Sequence, residues 1–83
     1  MLMTKEKISQ KVRELISFSM TIPVESVTET ADLDTDLNIG SLDKVHIFIL
    51  VEDEFHITIQ DDDMNDIETV EDIVELVVRK IES

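Results

Sequence analysis

The chain has 83 residues, 42% of them hydrophobic, with one glycine, one proline and three aromatics, all Phe. That length makes one domain, residues 1–83, with a small core, and the scarcity of turn formers favours an all-α fold over a strand-rich barrel. A formal charge of −13 excludes nucleic acid and anionic membranes as natural partners, and the absence of cysteine excludes disulfides, thiolate chemistry and the usual zinc sites.

From Thr4 to about Met20, Ile8, Val12, Leu15 and Ile16 form the stripe of an amphipathic helix. The opening MLMTKEKISQ is charged where a signal peptide is apolar, and no apolar run approaches ~18 residues. A soluble, cytoplasmic protein without membrane insertion is expected. Lys5, Lys7, Lys11 and Arg13 stand against Glu6 and Glu14 within residues 1–20, which leaves a net −15 on the rest of a chain of −13.

Pro23 ends the first helix, and residues 24–40 read as a long ordered loop without helical period. In residues 41–55, Leu42, Val45, Phe48, Ile49, Glu52 and Phe55 keep a three-four spacing, with Ser41 placed to cap and Asp43 in the first turn. HITI, residues 56–59, alternates like a strand but is too short to stand alone and reads as a connector. Asp61 to Asp66 allow one short helical turn. Thr69 and Asp72 form a shortened capping box ahead of Val70, Ile73, Val74, Val77 and Ile81. The expected fold is a small antiparallel bundle of three main helices and one short one, with the long loop between the first two.

Two chemistries compete for DLDTDLNIGSLD, residues 32–43. Asp32, Asp34, Asp36, Ile39 and Asp43 occupy the first, third, fifth, eighth and twelfth positions of a calcium-binding EF-hand loop. Against this, Leu37 stands where that loop needs glycine, Asp43 is too short for the bidentate glutamate, and no helix leads in. Metal ligands are therefore not assigned. No catalytic set is assigned either: His46, five residues after Ser41, lies roughly 140° around the helix axis from it. Ser41 remains, at a helix start where backbone amides and the helix dipole stabilise an anion such as a phosphodiester. A serine there is also an ordinary cap.

The segment DLNIGSLD, Asp36 to Asp43, resembles the D-L-G-x-D-S-L-D attachment motif of the acyl carrier proteins. The similarity runs without a gap from Val27 to about Val77 and takes in Val27, Thr28, Ala31, EDEF (Glu52 to Phe55) and Ile59 with DDD. The resemblance implies a non-catalytic carrier whose Ser41 receives 4'-phosphopantetheine from coenzyme A through a phosphopantetheinyl transferase, and whose thiol then bears acyl groups. It also implies that Asp43, Glu52 and Asp53 meet basic surfaces of acyl-transferring and ketosynthase-type enzymes, with Leu42 and Ile49 as exposed apolar contacts. A monomer is expected. Fatty acid biosynthesis is the first pathway expected; a specialised carrier for polyketide, peptide or D-alanyl transfer is the alternative, and an acidic calcium-binding or scaffolding module the alternative outside the family. This chain departs from the pattern at Gly40, where the family has aspartate, at Asn38, where it has glycine, and at Lys44 and His46, on a usually acidic face.

Overall fold

Thr4 sets the first helix by accepting a hydrogen bond from the Lys7 amide on its Oγ1 at 3.2 Å. The computed structural model describes residues 4–82; residues 1–3, which belong to the charged opening, and residue 83 lie outside the described residues. Helix α1 (Lys5–Met20) ends at Thr21, whose left-handed φ of 56° lets its amide reach the Ser17 carbonyl. Then come α2 (Ser41–Phe55), a single turn α3 (Asp61–Met64) and α4 (Val70–Glu82). No strand occurs among the described residues, only an isolated bridge between Asp32 and Thr69.

Helix α1 packs against both α2 and α4. Lys11 of α1 pairs with Glu54 of α2 at 3.7 Å, and eight residues further along, Ser19 meets His46 at 3.2 Å. Eight residues up one helix thus match eight down the other, which makes the pair antiparallel. The core joins Val12 and Ile16 to Phe48, Val51 and Phe55 and to Ile73, Val74 and Val77, with Ile59 and Ile67 closing the side near α3.

Two features sharpen the sequence expectation. The buried face of α2 is Ile47, Phe48, Val51 and Phe55, while Leu42 and Ile49, expected as exposed contacts, are exposed, and so is Val45. HIFILV is apolar on every side, so three-four spacing identified a helix there without identifying its inner face. The loop also contains a 3₁₀ turn at Val24–Ser26 directly after Pro23. Its carbonyls are held by Arg13, whose Nε donates to Val27 O at 2.6 Å and whose Nη2 donates to Val24 O at 3.2 Å. Read from sequence, Arg13 was only a charge; it is a tether between α1 and the loop.

The loop stays ordered because it is part of the core. Val27, Leu33 and Ile39 are buried, and the loop carbonyls of Ala31 and Glu29 accept the amides of Val70 and Glu71 at the start of α4. Those amides would otherwise lack partners. The Thr69–Asp72 capping box is present: the Thr69 amide donates to Asp72 Oδ2 at 3.0 Å and the Asp72 amide to Thr69 Oγ1 at 3.2 Å. At the far end of α4, Lys80 and Arg79 reach Asp63 of α3 at 2.9 and 3.7 Å.

Candidate attachment site at the start of α2

The approach to Ser41 is built by aspartates that bind backbone. Asp32 Oδ1 accepts the amides of Asp34 and Thr35, each at 2.9 Å, and Asp36 Oδ2 accepts the amide of Asp32 at 2.8 Å. The Thr35 amide first, then that of Asp34, holds the Asp32 carboxyl below its ordinary value. Asp32 and Asp36, first and fifth in the calcium alignment, thus turn the chain with their own carboxylates. No group of three or more His, Cys, Asp or Glu placed to hold a metal occurs among the described residues.

Asn38 then takes a left-handed φ of 56°, as a glycine would at the family position, with its amide on Asp34 O at 3.0 Å. Ile39 donates to Leu33 O at 2.8 Å and buries its side chain, 1% exposed. With Ile39 pinned inside, the next residues emerge at the surface. Gly40, not Ser41, is the N-cap: its carbonyl accepts the Lys44 amide at 2.9 Å, and Ser41 is the first helical residue. The span 41–55 agrees with the expected one, and only the cap differs, because serine is the commoner cap and glycine offers no side chain to signal one.

This shift leaves the Ser41 hydroxyl uncommitted to capping. Ser41 is exposed at the positive end of α2, and the amides of Ser41, Leu42 and Asp43 have no acceptor within the helix. A Cβ at Gly40 would meet nothing nearer than Asp43 Oδ2 at 3.9 Å, so the approach beside the hydroxyl is open. An exposed nucleophilic oxygen beside unpaired amides fits a phosphodiester-linked arm. His46 does not take part: its Nδ1 faces Ser19 on α1.

Along α2, Leu42 is 86% and Ile49 54% exposed, and Asp43 and Asp53 are exposed as well. Glu52 is different. It is half-buried, and its Oε2 accepts the amide of Ile59 at 2.7 Å, fastening the connector to the helix end. Ile49, Glu52 and Asp53 also line a shallow hollow of about 370 Å³ together with Ile57 and Thr58. Sequence reasoning missed the Glu52–Ile59 bond because no periodicity links residues across a helix end; the contribution of Ile57 was likewise hidden in a connector.

With this geometry in view, comparisons with known proteins are specific. The family described as "Phosphopantetheine attachment site" matches residues 10–77. The acyl carrier protein of Petrotoga mobilis is 35% identical over 79 residues, covering 95% of this chain and 93% of that protein. The acyl carrier protein of Thermotoga maritima is 37% identical over 78 residues, covering 94% and 96%. Among solved structures, an acyl carrier protein from Enterococcus faecalis superposes with a TM-score of 0.76 at 36% identity, covering 94% of this chain and 99% of that one. One from Thermotoga maritima gives 0.81 at 29% identity, covering 94% and 91%.

Proposed function

This chain belongs to the acyl carrier protein family, and we propose that Ser41 is the residue through which it carries its 4'-phosphopantetheine arm. It is a non-catalytic carrier: chemistry is done by partner enzymes on a group it holds. The observation that supports Ser41 is its place as an exposed first residue of α2 behind a loop pinned at Ile39. In loading, the Ser41 oxygen forms a phosphodiester bond to the 4'-phosphopantetheine of coenzyme A, and the nucleotide part of the coenzyme leaves. The arm supplies the thiol that a chain without cysteine lacks.

Residues 1–83 act on this reading as one carrier domain, monomeric and cytoplasmic, serving fatty acid biosynthesis. A phosphopantetheinyl transferase loads it, and acyl-transferring and ketosynthase-type enzymes dock on α2 through Leu42, Ile49, Asp43 and Asp53, with Glu52 at the edge of that surface. Complementary charge speeds encounter and sets register without making the complex permanent, which suits a shuttle. Lys44 and His46 on the same helix support a second reading, a specialised carrier with a dedicated partner.

Intact-mass measurement after coexpression with a broad-specificity transferase tests the assignment. A gain of one phosphopantetheine is expected, and none in Ser41→Ala. A gain that persists in Ser41→Ala would move the attachment elsewhere.

A further inference from the structure

Phe18 is 78% exposed, while the two other phenylalanines, Phe48 and Phe55, are in the core. Its position is defined by two contacts between α1 and α2. Phe18 follows Lys11 by seven residues and so lies on the same side of α1 to within about 20°. Lys11 bridges to Glu54 of α2, and Ser19, next to Phe18, meets His46. Phe18 therefore flanks α2, close to the level of His46.

On α2 the residues at this seam are His46, half-buried Leu50 and Glu54, spaced by four. Leu42, Ile49 and Asp53 lie within about 60° of His46 around that helix. Exposed apolar side chains thus stand on both sides of the seam, Leu42 and Ile49 on α2 and Phe18 on α1, with the Ser19–His46 contact between them. Acidic residues flank it: Glu14 lies one turn before Phe18 and Asp53 lies on α2, while Lys11 and Glu54 neutralise each other as an ion pair.

We propose that the docking surface of this carrier extends beyond α2 onto the last turn of α1, with Phe18 as an aromatic anchor for an apolar depression rimmed by lysine or arginine on an acyl-processing enzyme. The proposal rests on the carrier reading above. Charge selects this occupant: a second copy would bring another −13 against the same surface, whereas a basic rim complements Glu14 and Asp53. An exposed aromatic beside aliphatic contacts, with charges at the edge, is the composition of an interface hot spot. His46, beside which the anchor sits, is about 7.5 Å along α2 from Ser41 at 1.5 Å per residue, so one partner can hold both.

The test uses the pantetheine-loaded chain, its arm ending in a thiol-reactive group, and a fatty-acid ketosynthase whose active-site cysteine it alkylates. Phe18→Ser is expected to slow crosslinking about tenfold or more, with Phe18→Leu keeping most of the rate. Transferase loading at Ser41 and the melting temperature serve as controls, because Phe18 is exposed. Equal crosslinking of wild type and Phe18→Ser overturns the proposal. So does a loaded wild type that does not crosslink, since the partner class is then wrong, and so does a concentration-dependent dimer lost in Phe18→Ser. A wild type that cannot be loaded at all sinks the carrier reading itself.

Discussion

Glu52 and Asp53 are adjacent acidic residues near the end of α2, and the structure predicts that their removal has different consequences. Glu52 Oε2 accepts the Ile59 amide at 2.7 Å in a half-buried setting, while Asp53 is exposed with no ion pair or hydrogen bond among the described residues. A hydrogen bond to a charged group is worth about 1.5–3 kcal/mol, and half exposure favours the lower part of that range. Glu52→Ala should therefore cost about 1.5–2 kcal/mol, with the Ile59 amide left to find water. For a domain of this size, at about 4–8 °C per kcal/mol, that is a fall in Tm of about 6–16 °C. Asp53→Ala should stay within about 0.5 kcal/mol. Glu52→Gln keeps a neutral acceptor and should recover about half of the loss. Differential scanning calorimetry of the three variants checks this. If Glu52→Ala melts within the range of Asp53→Ala, the bond does not secure the helix end. Partner kinetics add a second distinction: Asp53→Lys should slow transferase loading with an unchanged Tm, whereas Glu52→Lys should lower both, so only the former reports docking alone.

Three further outcomes follow from the loop. Asn38→Ala forces a left-handed backbone without the local hydrogen bonding that asparagine offers and should cost about 1 kcal/mol by urea unfolding, while Asn38→Gly should be neutral or slightly stabilising. Arg13→Met keeps the packing of the stem but releases the Val24 and Val27 carbonyls, a loss of about 2–3 kcal/mol accompanied by faster amide exchange in residues 24–31. Backbone amides lower the carboxyl pKa values of Asp32 and Asp72, and Lys80 first, then the Gln60 amide, lowers that of Asp63. Their contributions are present above the unfolded value of about 3.9 and disappear as pH falls through the lower folded values, so melts should lose stability below about pH 4, with a shallower fall in Asp72→Asn.

What could be read from residues alone divides along physical lines. Helices α1 and α4 were legible because each has one apolar stripe and a polar remainder, and the Thr69–Asp72 box because both partners lie three residues apart. The inner face of α2 was not legible, since HIFILV is apolar all round and only packing against α1 turns Ile47 and Val51 inward. Long-range polar ties were hidden for another reason: Arg13 to Val27 spans fourteen residues and Glu52 to Ile59 crosses a helix end, so neither leaves a repeat in the sequence. At the candidate site, Ser41, Leu42, Asp43, Ile49 and Asp53 sit exposed on one helix, an exposure the resemblance implied for Leu42 and Ile49, and Glu52 alone is committed inward.

The acidic run before Ser41 now has a structural reason. Asp32 and Asp36 fold their carboxylates onto neighbouring amides, which makes a compact turn out of residues whose charges would otherwise repel. That turn delivers Asn38 into its left-handed conformation and Ile39 into the core, and the chain must then leave the core within two residues. Gly40 makes that exit with φ −77° and ψ 176°, angles open to any residue, and with room for a Cβ. Neither conformation nor space therefore requires glycine here. The aspartate usual in the family would fit, as a better cap than glycine and as an added negative charge near that of Asp43, whose Oδ2 lies 3.9 Å from a Cβ at this position. Its absence leaves the fold intact and removes one charge beside Ser41, so on the proposed reading what Gly40 alters is the surface offered to enzymes that load or use the serine.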